Sequence, residues 1–155
     1  MSSGMLVREI MTPNVVTVGP DEPLRRAGEL MLRHGLDALP VVDGAGKVVG
    51  MVGLKDLLAA PARVIHTGAR DRYISRYTDL AAKRDVIGRL KVADMMARPV
   101  LSVSADTPVE EVIALFVNRG LHPLPVVTDG RLVGIVGRAD ILRVLLDSQP
   151  RDATV

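Results

Sequence analysis

Leu39-Pro40-Val41-Val42 and Val49-Gly50-Met51-Val52-Gly53 decide the fold, because the chain spells each of them a second time. The copies are Leu124-Pro125-Val126-Val127 and Val133-Gly134-Ile135-Val136-Gly137. The first pair lies 85 residues apart and the second 84, the one-residue loss falling at the Gly44-Ala45-Gly46 turn. Gly35-Leu36 returns as Gly120-Leu121, and Asp56 returns as Asp140. Matches this dense in one register mean a tandem repeat of one supersecondary unit, each copy of about 50 residues.

Each copy reads as β-α-β-β-α. Val15-Val16-Thr17-Val18 and Val100-Leu101-Ser102-Val103 are largely β-branched runs that predict strands. Asp21-Glu22-Pro23 and Asp106-Thr107-Pro108 follow, predicting Asp N-caps with proline in the first helical turn. The first helix presents Leu24, Ala27, Leu30, Met31 and His34 on one face; its counterpart presents Val109, Val112, Ile113, Phe116 and Val117. Gly35 and Gly120 predict left-handed caps. Hairpins come next, Leu39–Val42 with Lys47–Val52 around Asp43-Gly44-Ala45-Gly46, and the second around Thr128-Asp129-Gly130. Final helices start near Leu54 and near Arg138. So small a unit buries too little apolar surface alone. Its strands are apolar on both faces, so the sister copy is the expected cover. The fold class is α/β (mixed α+β): two tandem β-α-β-β-α repeats, at 7–60 and 92–147, packed about a pseudo-twofold axis.

The insert at 61–91 separates the copies. Pro61 is expected to end the preceding helix. From Arg63 to Lys91 there are eight Lys/Arg against three Asp. Arg72, Tyr73, Arg76 and Tyr77 fall at helical spacing, as do Leu80, Ile87 and Leu90, so the insert is expected to contain helix. Its Arg70, Arg72 and Arg76 suit either a solvated helix face or contact with a polyphosphate.

Composition excludes several functions. Aromatic residues are 2% of the chain, so the core is aliphatic and base-stacking platforms for nucleic acid are missing. There is no cysteine, which removes disulfides, thiolate metal sites and cysteine nucleophiles. A net charge of +2 gives no case for a polyanion partner. No apolar run approaches the ~20 residues of a membrane span and no signal peptide is legible, so a cytoplasmic protein is expected. His34, His66 and His122 are not at metal-ligand spacing, no Ser/His/Asp set is positioned, and no phosphate-binding loop motif occurs. The sequence therefore reads as a non-enzyme with no required cofactor.

The constellation resembles the CBS domain pair, or Bateman module. Met11-Thr12-Pro13 ahead of a strand, the Leu-Pro-Val-Val strand, and the Gly-x-Val-Gly-x-x-Asp junction carry the resemblance, with Met96-Ala97-Arg98-Pro99 as the second version of the first motif. It implies two clefts between repeats that take adenosine-containing ligands such as AMP, ADP, ATP or S-adenosylmethionine. It also implies a homodimer, and control of an effector protein. No effector domain is expected in this chain.

Gly50 to Asp56 runs from a strand end into a first helical turn, where unpaired N–H groups suit phosphate. Asp56 and Asp140 can accept two hydrogen bonds from a ribose diol, or can simply stabilise the helix dipole. The family places a hydroxyl residue where this chain has Gly53 and Gly137. That departure removes a donor and permits close backbone approach. Family geometry pairs each junction with the strand edge of the other repeat. One cleft then holds Asp56 and Gly53 with His122, Pro123 and Ser102. The other holds Asp140, Gly137 and Arg138 with Asp37, Ala38 and Thr17. His122 reads either as a phosphate contact or as an exposed loop histidine, and Met11, Met31, Met95 and Met96 read as core filling. The first helix of each repeat and the apolar lead-ins Val7–Met11 and Val92–Met96 are expected at a dimer interface. The function this implies is an adenosine-ligand sensor that modulates a partner. The alternative is a dimeric scaffold without nucleotide, with nucleic-acid binding through the insert as the remote third.

Overall fold

The computed structural model describes residues 4–64 and 80–147. A short 3-10 turn at Val7–Glu9 comes first, followed by α1 (Leu24–His34), β1 (Ala38–Val42), β2 (Val48–Gly53) and α2 (Leu54–Val64). After the insert come α3 (Leu80–Arg89), α4 (Val92–Met95), β3 (Val103–Ser104), α5 (Val109–Arg119), β4 (Leu124–Thr128), β5 (Arg131–Val136) and α6 (Arg138–Leu146). The mixed α/β architecture with a doubled hairpin is as the sequence predicts. Arg70, Arg72, Tyr73, Arg76 and Tyr77, with His66, lie outside the described residues.

Two compact units form, and their borders do not follow the repeats. The first-repeat unit is Val16–Val100, and the second-repeat unit joins Met1–Val15 to Leu101–Val155. The lead-in ahead of each repeat therefore belongs to the other repeat's unit. Both units use it in the same way. Leu6 bridges Pro108, and Lys91 bridges Pro23. The carbonyls of Met5 and Leu90 accept the first N–H of α5 (Val109, 2.9 Å) and of α1 (Leu24, 2.8 Å). Val7 and Val92 are fully buried. Thr12 exchanges two backbone hydrogen bonds with Ile135 on β5, and Ala97 does so with Met51 on β2. An ion pair between Arg8 and Asp106 fixes the first lead-in further. The lead-ins are thus spent inside the chain's own cores, which corrects their expected place at a dimer interface.

Each core is aliphatic, as composition requires. Leu24, Ala27, Leu30, Met31, Leu39, Val41, Val52, Val92 and Met95 fill the first-repeat unit, with Ile87 and Leu90 of the insert packed on them. Val7, Val103, Val109, Val112, Leu124, Val126, Val136 and Ile141 fill the second. Of the predicted helical faces, His34 and Val117 are exposed. Pro23 and Pro108 are themselves the N-caps, with no side-chain cap, so Asp21 and Asp106 are not caps. The backbone carbonyls of the lead-ins do that work instead. Gly35 and Gly120 end α1 and α5 in the left-handed conformation (φ 64° and 62°), as expected.

The first strand of each repeat is shorter than its β-branched run. Val18 makes only an isolated parallel bridge to Val41, and β3 spans Val103–Ser104 opposite Val126–Val127. Val18 donates to Pro40 and accepts from Val42. Continuing that ladder toward Val16 would need the N–H of residue 40, a proline, and Pro125 imposes the same limit on β3. Pro61 does not stop α2, which runs on to Val64. One lost helical hydrogen bond is offset by burial of Ala60 and Leu57 and by Lys83, which donates to the Leu58 carbonyl.

The β1–β2 turn is built on Asp43. Its Oδ1 accepts the N–H of Ala45 (2.8 Å) and of Lys47 (3.0 Å). The Lys47 bond first, then the Ala45 bond, hold its carboxyl below the ordinary value. A depressed folded-state value stabilises the fold above the unfolded-state value, and that contribution is lost as pH falls through the depressed one. Asp43→Asn, which keeps an acceptor but does not titrate, should therefore show a shallower loss of urea midpoint in the acid range than the wild type. Parallel curves for the two would refute this.

Candidate functional site

The end of each hairpin passes directly into a helix, and the third residue of that helix is an aspartate. Asp56 on α2 and Asp140 on α6 are 8% and 6% exposed, the buried charged residues among those described. Asp56 Oδ2 accepts the N–H of Gly53 at 2.8 Å, and Asp140 Oδ2 that of Gly137 at 2.7 Å. Each carboxylate thus reaches back over the first turn to satisfy an orphan donor at the positive end of the helix. This is the dipole role weighed from the sequence, and it leaves further acceptor capacity on each carboxylate group.

Asp140 has two further side-chain partners. Asp140 Oδ1 accepts from the Thr12 hydroxyl at 3.2 Å and from Arg143 Nη1 at 3.0 Å. In the repeat register these partners become Ala97 and Ala59, which carry no side-chain donor. Thr12 and Arg143 were not singled out from the sequence as site residues. Their signals were present, Thr12 in the Met-Thr-Pro motif and Arg143 at i+3 from Asp140.

Hairpin register decides which of the expected residues share a corner. Ala38 pairs with Gly53, and the Asp37 carbonyl accepts the N–H of Leu54 at 2.9 Å. Asp37 and Ala38 therefore lie at the hairpin end that leads into Asp56. Leu124 pairs with Val136, which puts His122-Pro123 at the same hairpin end as Gly137-Arg138. His122 stacks edge-on against Phe116, with ring centroids 5.8 Å apart. Ser102 lies with His122 and Asp140 in the second-repeat unit, and Thr17 lies with Asp37 and Asp56 in the first. Within each unit, hairpin register adds a grouping that the sequence reading did not make. The two ends of an antiparallel hairpin stay together, so the basic or acidic residue at the strand entry accompanies its own repeat's aspartate.

The glycines at the junctions are not equivalent either. A Cβ on Gly53 would sit 3.1 Å from the Asp37 carbonyl oxygen, whereas on Gly137 the nearest atom would be Asp140 Oδ2 at 3.8 Å. Gly53 is held by close packing; Gly137 has room for a side chain. The methionines read as core filling are core: Met95, Met96 and Met31 are buried, and Met11 packs on the second core. Among the described residues no His/Asp/Glu group could hold a metal ion, and no helix is long and apolar enough to cross a membrane.

The chain is 30% identical over 142 residues to a 17.7 kDa protein of Acidianus ambivalens, covering 91% of this chain and 73% of that one. It covers 61% of a Methanopyrus kandleri relative, also 30% identical over 89% of this chain. Among solved structures, it is similar to CBSX2, a CBS-pair protein of Arabidopsis thaliana, in complex with AMP. The TM-score is 0.75 at 27% identity, covering 95% of this chain and all of that one. It is also similar to the CBS domain pair of protein MJ0100 in complex with 5′-methylthioadenosine and S-adenosyl-L-methionine. There the TM-score is 0.70 at 25% identity, over 91% and 99% of the two chains. The CBS domain profile matches residues 7–63 and again 92–147, and with that the doubled hairpin-to-helix unit has its family: the chain belongs to the CBS domain proteins.

Proposed function

We propose that this CBS pair is a regulatory module that binds adenosine-containing ligands at the Asp56 and Asp140 junctions and modulates a partner protein. The observation that carries the reading is the buried carboxylate at the start of α2 and again of α6, each above a glycine N–H at the positive end of the helix. A carboxylate there can accept from both hydroxyls of a ribose, and the positive end of the helix suits a phosphate. Solved relatives hold AMP or the paired methylthioadenosine and S-adenosylmethionine, which supports the same ligand class here. Leu142, Leu145 and Leu146 on α6, with Leu54 and Leu58 on α2, are exposed and support a homodimer through these helices rather than through the lead-ins.

Calorimetry and thermal melting with AMP, ATP and S-adenosylmethionine test the reading. A ligand at a hundred times its Kd adds about 2.7 kcal/mol, or roughly 5–10 °C for a chain of this size. No heat and no shift with any of the three at millimolar concentration would leave the dimeric scaffold as the function.

A further inference from the structure

We propose that a ligand at Asp140 acts on the first lead-in through Thr12: its ribose takes the place on the carboxylate that the Thr12 hydroxyl holds in the free protein. The lead-in then loses one of its ties just before the chain leaves the second-repeat unit. The inference rests on the adenosine-ligand reading above and adds to it a route by which that junction is coupled to the rest of its unit.

The coupling follows from the acceptor capacity of one side chain. A carboxylate has about four acceptor positions, two on each oxygen. Asp140 Oδ2 accepts the Gly137 N–H at 2.7 Å, and Oδ1 accepts both the Thr12 hydroxyl at 3.2 Å and Arg143 Nη1 at 3.0 Å. Only one position, on Oδ2, is left. A ribose diol brings two donors, so one of the present donors has to leave. The Gly137 bond caps the first turn of α6 and stays. Of the other two, the Arg143 bond is shorter and charge-assisted, whereas the Thr12 bond is longer and neutral. Thr12 is the donor that yields.

The position of Thr12 in the chain gives that exchange an effect beyond the carboxylate. Its own N–H and carbonyl pair with Ile135 on β5 at 2.8 and 3.0 Å. Pro13 has no N–H to offer, Asn14 turns the chain in the left-handed conformation (φ 56°), and the border of the unit falls between Val15 and Val16. The Ile135 pair and the hydroxyl bond are therefore the last hydrogen bonds of the lead-in before that border, among the described residues. With the hydroxyl displaced, the backbone pair holds this point alone and opens more often. The coupling is reciprocal: a ribose that breaks the Thr12 tie is itself weakened by the tie, by the same factor.

The test compares AMP with 2′-deoxy-AMP, whose single ribose hydroxyl fits the open position on Oδ2 and displaces nothing. Calorimetry on the full chain gives the affinities of the wild type, Thr12→Val, Thr12→Ser and Arg143→Ala; amide exchange follows the Thr12 and Ile135 N–H groups. Thr12→Val removes the competing donor and should tighten AMP about two- to tenfold, the scale of a neutral hydrogen bond, while leaving 2′-deoxy-AMP unchanged. Thr12→Ser keeps the hydroxyl and should return the affinity to that of the wild type. In the wild type AMP should speed exchange of both amides and 2′-deoxy-AMP should not, a readout that needs no variant to fold. Arg143→Ala opens a second position on the carboxylate, so AMP should no longer speed that exchange. Unchanged or weaker AMP binding in Thr12→Val, or tighter AMP binding in Arg143→Ala alone, would overturn the inference and leave the adenosine-ligand reading intact. Absence of any AMP binding by the wild type would instead sink that reading and this inference together.

Discussion

Val7→Asp is expected to unfold the second-repeat unit while the first-repeat unit keeps its protection. Val7 is fully buried and packs with the Val103, Val109, Leu124 and Val136 core. A carboxylate placed there has no partner within that apolar cluster, and such a burial costs about 3–5 kcal/mol. For a chain of this size the melting temperature should fall by roughly 10 °C. Location is the sharper readout. Amide exchange should accelerate first in α5, β4 and β5, although Val7 precedes the other repeat in the sequence. Val92→Asp should do the reverse, exposing β1 and β2. If Val7→Asp instead deprotected β1 and β2, the assignment of the lead-ins would be wrong.

Gly134→Ala should also destabilise, by a smaller amount and for the opposite physical reason. A Cβ at Gly134 would lie 2.5 Å from Met11 Sδ, 3.0 Å from its Cγ and 3.2 Å from the Thr12 carbonyl oxygen. The thioether can bend away, but the carbonyl is fixed by the Ile135 N–H at 3.0 Å. Overpacking of this kind costs about 1–3 kcal/mol. Gly50, against Met96 and the Ala97 carbonyl, is the same construction in the other unit. Adding Met11→Ala to Gly134→Ala should recover part of the loss by emptying the space the new methyl needs. A double variant that is less stable than the sum of its single changes would show that the methionine is not what the glycine accommodates.

The repeat made most of each unit legible from the sequence. Two copies of Leu-Pro-Val-Val and of the glycine-rich strand fix the hairpins, and Gly35 and Gly120 fix the helix ends, because each depends on residues close in sequence. Asp56 and Asp140 were legible as a matched pair at the start of a helix for the same reason. What stayed hidden depends on long-range placement. Nothing local in Val7–Met11 says that its valine enters the core of a repeat a hundred residues away, so the lead-ins read as surplus apolar surface. The same gap hid Thr12, whose hydroxyl matters only because the lead-in crosses to Asp140. Hairpin register, which also places His122 and Asp37 at the same end as their own repeat's junction, was not used in the sequence reading. The Asp21 and Asp106 caps failed because a carbonyl from a distant segment is as good an acceptor as a neighbouring side chain.

The crossing of the lead-ins has a consequence for how such a chain is divided. The segment that is duplicated and the segment that folds are different pieces of sequence. A single copy cut at its repeat boundary carries one arm it cannot use and lacks the arm its own core requires. Two such copies can close only by trading arms, which is a domain-swapped dimer. The tandem chain contains that swap within one polypeptide, where the trade is intramolecular and independent of concentration. Excision along the folding border, at Val16–Val100, keeps the Val92–Met95 arm with the hairpin it completes. A fragment ending at residue 60 leaves β2 with an unpaired edge at Met51 and α1 without the carbonyl of Leu90, and such an edge is an invitation to pair with the wrong chain.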